Sequence, residues 1–550
     1  MKTCNFLKEK LCIFSLFIFI SLSCRGQDAI TFEEVIKIAL EENLEIKIKE
    51  NKFKQAENIA SFGSAGLLPR IDIIGSSSGN KGVTSLEFAT DEFPAIEDMD
   101  SESSSYNGNV QLTYNIFNGL ASIYTLRKLN KLSDISSVEM QIEIERVILN
   151  VAKQFYDIAF LQEQLEIQKE LISNQTTGSN VVLIHKQGEI VYNEVVNSMN
   201  LGDKDIDGNT IFAIHSMSKP ITTVAMMILL DRGSYDLNDN LSKYLPEYEN
   251  VKCKGENEIY QCKNKIKIID LLTHRSGYTY YNQYGENWLF NMHKGIYPDY
   301  INTSRFSNLD DFSNAISKEP LDFEPGTMYT YGLNQAILGR LIEVLTGQSF
   351  YDFLKENLFD KLEMYDTKFH LTYEERSRLH PLHVNINANT PFNQSDFNLK
   401  GYTAALDGYS YLPKNKAHFG GEGLVSTLND YSNFCKMLVN KGKYNEEIII
   451  SENSFNLMVD KYTNAYPDPN EPFTFPDLEG YYIGFTFSVL ENQEVDGTGA
   501  SKGIFGWSGY HNTHFWIDTE KDIYAIFLSR SIEFDFKILN GLKKAVYSTY

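Results

Sequence analysis

The chain has 550 residues, 42% hydrophobic and 22% charged, a composition that excludes a disordered chain and a multispan membrane protein. Its 50 Lys+Arg against 73 Asp+Glu leave a net charge of -23, which excludes a sequence-independent nucleic-acid binder, since such proteins use cations to displace counterions from phosphate. The six cysteines (Cys4, Cys12, Cys24, Cys253, Cys262 and Cys435) are too few for a disulfide scaffold and form no zinc-type CxxC pair. The motifs of the chain as a whole imply no metal or organic cofactor.

Lys2, Lys8 and Lys10 precede an apolar run of 12 residues, Leu11 to Leu22. A membrane-spanning helix needs about 20 residues, and this run has the length of a signal-peptide core. Residues 1–26 are therefore expected to be a signal peptide, cut near Gly26, with lipidation at Cys24 as the alternative. Export places the chain in an oxidising compartment. Cys253 and Cys262, which close a polar loop of ten residues, are expected to pair there, and Cys435, in a helical pattern, to be buried and unpaired.

Residues 30–68 read as one helix. Thr31 and Glu34 form a capping box, and Phe32, Val35, Ile36, Ala39 and Leu40 follow at helical spacing. Pro69 stops it, Arg70 to Gly75 read as extended, and the polar stretch 76–108 reads as a long exposed loop. Residues 109–116 alternate polar and apolar, the pattern of a strand. After Asn118-Gly119 no Gly or Pro occurs until Gly178, and apolar residues from Ile123 to Ile172 recur at threes and fours. A helix of about 50 residues is about 75 Å long, which is coiled-coil geometry.

The segments ITFEEVIKIALEEN (30–43), LLPRIDI (67–73) and VQLTYNIFNG (110–119) resemble one repeat of the TolC-like outer-membrane efflux proteins. That resemblance covers 27–173 and implies association with the outer membrane or envelope of a Gram-negative bacterium. Protomers of that family carry two such repeats. Two strands leave both edges open and do not close a barrel within a single chain.

At Thr177-Gly178 the pattern changes to period two, and residues 177–550 read as a second, mixed helix and strand domain after a first one at 27–176. Val181 to Ile184 and Ile190 to Tyr192 flank Lys186-Gln187-Gly188-Glu189 as a β-hairpin. The last turns of the long helix could serve as the first helix of this domain. Ser216-Met217-Ser218-Lys219 opens a helix that continues through Pro220 and the apolar run VAMMILL (224–230). At i and i+3 the hydroxyl and the amine lie on one face. A desolvated lysine loses proton affinity and can act as the base for a nucleophilic serine. Tyr331 stands at a loop–helix boundary before AILGRLIEVLTG (336–347), with Tyr329 as the competing register. Trp507-Ser508-Gly509 offers backbone N–H groups and an aromatic wall from a strand edge.

Together with TIFAIHSMSKPIT (210–222), LLTHRSGY (271–278), GGEGLVSTLNDY (420–431) and GIFGWSGYHNTHFWID (503–518), these motifs resemble the serine β-lactamase-related hydrolases: class C β-lactamases, D,D-peptidases and family VIII esterases. The resemblance covers 178–550. It implies an α+β, β-lactamase-like fold with an antiparallel sheet flanked by helices and an all-helical region, here preceded by a long helical hairpin with a two-stranded β-hairpin. It implies Ser216 as nucleophile, Lys219 as its activating partner, Tyr331 as the catalytic tyrosine and Trp507, Ser508 and Gly509 as the substrate-binding triplet. The N–H groups of Ser216 and Tyr510 would form the oxyanion hole. Where lactamases and peptidases have Tyr-x-Asn, this chain has Leu333 at the third position, and Trp507 replaces the usual cation. Both lost groups bind amides and carboxylates, so the expected substrate is a small-molecule ester before an amide or lactam. His215 and His274 are expected to pack or hydrogen-bond, and the pair His380 and His383 lacks the companion ligands of a metal site.

Overall fold

The computed structural model describes residues 30–86, 96–174, 176–200, 203–281, 306–383, 403–404, 411, 413, 418–464, 478–531 and 534–547. The expected signal peptide and Cys24 lie outside the described residues. The chain forms two compact units that divide at Ile158/Ala159.

In the first unit, α1 (Phe32–Glu42) starts at the Thr31 cap, whose N–H donates to Glu34 Oε2 at 2.8 Å while the Glu34 N–H donates back to Thr31 Oγ1 at 3.3 Å. The single helix expected over 30–68 is in fact two. Asn43 takes extended geometry and accepts from the N–H groups of Glu45 and Ile46, so it ends α1 and caps α2 (Leu44–Ile59). β1 (Arg70–Leu86) pairs antiparallel with β2 (Ile96–Thr113), in register Ile71 with Leu112 and Ile73 with Val110. The polar loop expected over 76–108 is therefore mostly hairpin. Its Ser, Gly and Asn residues give no apolar alternation, and the backbone ladder alone makes the strands. α3 (Ala121–Ser173) is the long helix, 53 residues.

The second unit begins with the last turns of α3. Gln168 bonds Asn180 Oδ1 at 2.9 Å and receives the Tyr192 hydroxyl at 2.6 Å, tying those turns to the first hairpin of the sheet. This places Ala159–Ser173 with the second unit, whereas the sequence pattern changes only at 177. The hairpin is β3 (Asn180–Lys186) and β4 (Glu189–Val196), turning at Gln187 and Gly188, both of positive φ. An eight-stranded antiparallel sheet continues with β5 (Thr463–Asn464), β6 (Tyr481–Ile483), β7 (Ser488–Leu490), β8 (Phe505–Gly509), β9 (Thr513–Asp518) and β10 (Ile523–Leu528), in the order β5-β6-β7-β8-β9-β10-β3-β4.

Every residue of β9 is buried, because alternate side chains meet helices on opposite faces. Phe515 packs on Tyr431 of one helix (Leu428–Val439), with ring centroids 5.2 Å apart. Asp518 accepts from Tyr547 of the C-terminal helix (Phe536–Tyr547) at 2.9 Å. The helix α4 (Ser218–Asp231) is buried from Ser218 to Leu229 and packs on α5 (Asn334–Thr346). Its run Val224 to Leu229 is apolar on every face because protein surrounds it.

Cys253 and Cys262 are disulfide-bonded across a small hairpin, with Cα atoms 5.1 Å apart, and Cys435 is buried and free.

Candidate active site

Ser216 sits in a 3-10 turn (His215–Met217) that runs directly into α4. His215 holds a left-handed φ of 41° although it is buried, a strained turn of the kind that gathers at functional sites. One turn on, Lys219 is fully buried, and its Nζ lies 3.1 Å from Ser216 Oγ. The same Nζ lies 2.8 Å from Tyr280 Oη, 2.9 Å from the Gly421 carbonyl oxygen and 2.8 Å from Glu422 Oε1. That is four acceptors for the three protons of an ammonium.

The expectation that desolvation would weaken the proton affinity of Lys219 is corrected here. Burial does push it down, but the charge of Glu422, together with charge and hydrogen bonding from Tyr331, outweighs burial and holds the amine above its ordinary value. Lys219 therefore rests as an ammonium paired with a buried carboxylate. Glu422 also accepts the Tyr280 hydroxyl at 2.5 Å, while its Oε2 is buried with no partner among the described residues. Burial, then the Glu422 charge, pushes Tyr280 well above the usual phenol range, so it stays neutral.

Glu422 and Tyr280 were not singled out from the sequence. Glu422 lies inside the run GGEGLVST, where an acid between glycines in an apolar stretch is the available signal. Tyr280 follows LLTHRSGY by two residues and is one of 33 tyrosines, so nothing local marks it.

Tyr331 presents its ring to the Lys219 ammonium, 4.7 Å from the ring centroid, and its Oη receives the Trp507 Nε1–H at 3.3 Å. Tyr329, the competing register, is buried with its ring 6.0 Å from that of His274. The approach of Tyr331 to Tyr280 depends on Gly332: a Cβ there would lie 2.2 Å from the Tyr278 carbonyl oxygen. A hydrogen-bond chain locks the two segments, with Ser276 Oγ to Asn334 Oδ1 at 2.5 Å and Asn334 Nδ2 to His274 Nδ1 at 3.0 Å. The His274 ring is thus engaged through Nδ1 by the Asn334 side chain.

Ser216, Tyr331, Trp507, Ser508 and Tyr510 line one cavity of about 260 Å3. Gly509 does not line it. It lets β8 abut the nucleophile turn, since a Cβ there would lie 2.2 Å from the Ile214 carbonyl oxygen. The Trp507-Ser508-Gly509 triplet was expected on an edge strand, but β8 is interior, between β7 and β9. The β7 ladder covers Phe505 and Gly506 and stops short of Trp507, so the triplet overhangs a strand that is interior by topology. Ser508 Oγ is spoken for by His514 Nδ1 at 2.7 Å.

Among the described residues, the grouping with metal-ligand spacing is Cys253, Cys262 and Glu324, whose sulfurs are joined in the disulfide. His380 Nε2 lies 3.6 Å from Asp203 Oδ1, and burial pushes this imidazole down to about 4.

The sequence profile of the Beta-lactamase family matches residues 163–544. The chain belongs to that family. Within it, the chain is 26% identical over 346 residues to an uncharacterized protein of Mycobacterium tuberculosis, covering 60% of this chain and 80% of the relative. It is 23% identical over 368 residues to esterase EstB of Burkholderia gladioli, covering 64% and 85%. Among solved structures, EstCE1, described as a hydrolase with promiscuous acyltransferase activity, superposes with a TM-score of 0.57 at 21% identity over 71% of this chain and 99% of that one. This Beta-lactamase-family chain is accordingly a β-lactamase-fold serine hydrolase with an α+β architecture.

Proposed function

We propose that the protein is an exported carboxylesterase that works through an acyl-enzyme on Ser216. The observation that carries this reading is the Ser216–Lys219–Glu422 chain, which opens onto a cavity walled by Trp507 and Tyr331. Lys219 gives a proton to Glu422 across 2.8 Å and takes the proton of Ser216 across 3.1 Å, so the serine proton is accounted for on Glu422. Glu422 suits this task because it touches Lys219 directly and its Oε2 is buried with no hydrogen-bond partner among the described residues. Ser216 Oγ then bonds to the ester carbonyl carbon, and the N–H groups of Ser216 and Tyr510 hold the oxyanion. Collapse expels the alkoxide, which takes a proton from Tyr331, itself reprotonated through Lys219. Water repeats the sequence to release the acid. Glu422 acts through Lys219 as a positioning and proton-holding residue.

Ester is favoured over lactam or peptide because Trp507, which lines the cavity, and the buried Leu333 stand in place of groups that bind carboxylate and amide. The likeness to EstB supports the same side. The first unit is read as an envelope-associated segment with the layout of a TolC-like repeat, and the protein as periplasmic or outer-membrane in location. The test is turnover by the purified chain of short-chain aryl esters, a chromogenic cephalosporin and a D-Ala-D-Ala peptide. Turnover of the cephalosporin or the peptide ahead of the esters would replace the ester reading. Turnover of none of the three would leave an inert binding protein.

A further inference from the structure

The cavity that opens on Ser216 and Tyr331 also reaches Lys543, on the buried face of the C-terminal helix. Most of the wall between is apolar, including Leu478, Ile504, Phe505, Trp516, Phe536 and Leu539. Lys543 is 2% exposed. Its Nζ donates to Tyr481 Oη at 2.8 Å, and that hydroxyl donates in turn to Asp496 Oδ1 at 2.5 Å. The nearest carboxylate is thus reached only through a phenol.

The two buried lysines of this site are opposites. Lys219 touches a carboxylate directly and is held above its ordinary value. Lys543 touches a neutral hydroxyl, and burial, opposed only by the more distant Asp496, pushes it down to about 8. His514, on β9, adds no like charge beside it. Burial and the Lys543 charge push it down to about 3, so it is neutral. A buried ammonium with one neutral acceptor carries an uncompensated desolvation cost. An apolar residue of the same length would fill this place without that cost.

We propose that Lys543 is an anion-binding subsite of the active-site cavity, and that the substrate is an ester whose cavity-bound part is an apolar chain ending in a carboxylate. Hydrocarbon seats against the Leu, Ile and aromatic wall, and the carboxylate accepts the free protons of the ammonium. The pairing takes place in a dry site, where it is worth more than at a surface. This deepens the esterase reading and rests on it for the word ester; the anion site itself does not.

Two measurements separate the two ideas. In the first, full-length Ser216→Ala is melted with 10 mM hexanoate or 1-hexanol at pH 7. Hexanoate is expected to raise Tm by several degrees and hexanol not. The difference should vanish in Ser216→Ala/Lys543→Met, whose fold is checked by circular dichroism. It should also vanish for Ser216→Ala at pH 10, where the amine is neutral, an arm that needs no second variant. Equal effects of the acid and the alcohol, or a preference that survives Lys543→Met, would overturn the subsite.

In the second, hydrolysis by the wild-type chain is followed for two pairs: monomethyl adipate against methyl hexanoate, and 6-acetoxyhexanoate against hexyl acetate. At least one charged member is expected to be favoured tenfold or more in kcat/KM, and the ratio to fall near one in Lys543→Met. No preference in either pair would overturn the substrate class. Carboxylate binding with no ester turned over at all would instead retain the subsite and remove the esterase.

Discussion

The two units of this chain share sequence periodicity but differ in what that periodicity buries. In the first, among the described residues, Ile46, Ala65, Val147, Ser122 and Glu143 are buried, while Ile71, Ile73, Val110, Leu112, Ile142 and Leu149 remain exposed. In the second, helices and sheet enclose one continuous core that includes Ile221 and Val224 to Leu229 of α4 and Phe515 to Ile517 of β9. Period 3.6 and period 2 therefore set local conformation in both units, but only the second supplies facing layers. A core needs such layers, and so does a site that must hold a buried ion pair.

That contrast predicts where substitutions will matter, the largest effect first. Ser216→Ala is expected to lower ester turnover by about a thousandfold or more, with Lys219→Ala close behind because the pair acts as a unit. Steady-state kinetics with a thermal melt as control would check this, and a folded Ser216→Ala that still turns over ester would break the mechanism.

Glu422→Gln should lower kcat about 100-fold, the lower end of the range for a positioned acid or base, because Glu422 acts through Lys219. It should also change the acidic limb of the kcat/KM profile. With the carboxylate gone, the main influence raising Lys219 is lost while burial, which lowers it, remains. The amine then sheds its proton at lower pH than in the wild type, and with no carboxylate to take that proton it must shed it before it can act as base. An acidic limb set by Lys219 itself should therefore appear in the variant. Glu422→Asp should restore part of both. An unchanged limb would make Glu422 structural.

Gly332→Ala should cost turnover more than stability, since its Cβ would displace the Tyr278 backbone beside the two tyrosines of the site. Comparing the loss in kcat with the loss in Tm would settle the order.

Replacing Cys253 and Cys262 by Ser should destabilise the second unit by about 2–3 kcal/mol, the loop-closure value for so short a loop, without altering kcat. Denaturant unfolding of the oxidised and variant chains would measure it. In the first unit, by contrast, Ile73→Ser at a position 79% exposed should fall within about 0.5 kcal/mol. A larger loss there would mean that the hairpin is covered in solution and would undo the comparison.

By itself the sequence determined much of this protein. The long helix, the capping box at Thr31, the hairpin at Gln187-Gly188, the paired cysteines and the i, i+3 placement of Ser216 and Lys219 all follow from local rules acting over a few residues. Its failures were also local. Asn43 outcompeted the helix it sits in by capping the next one, and the hairpin strands of 76–108 carry no alternation because both faces are wet.

Only the tertiary structure decided what surrounds Lys219. Tyr280 and Glu422 reach it from 61 and 203 residues away, and a carboxylate that close reverses the effect of burial on the amine. The same holds for β8, whose place inside the sheet depends on the ladders formed by β7 and β9, and for Lys543, whose partners Tyr481 and, beyond it, Asp496 come from a remote segment. Charge interactions and sheet order depend on distances between remote segments, and the one-dimensional pattern does not contain those distances.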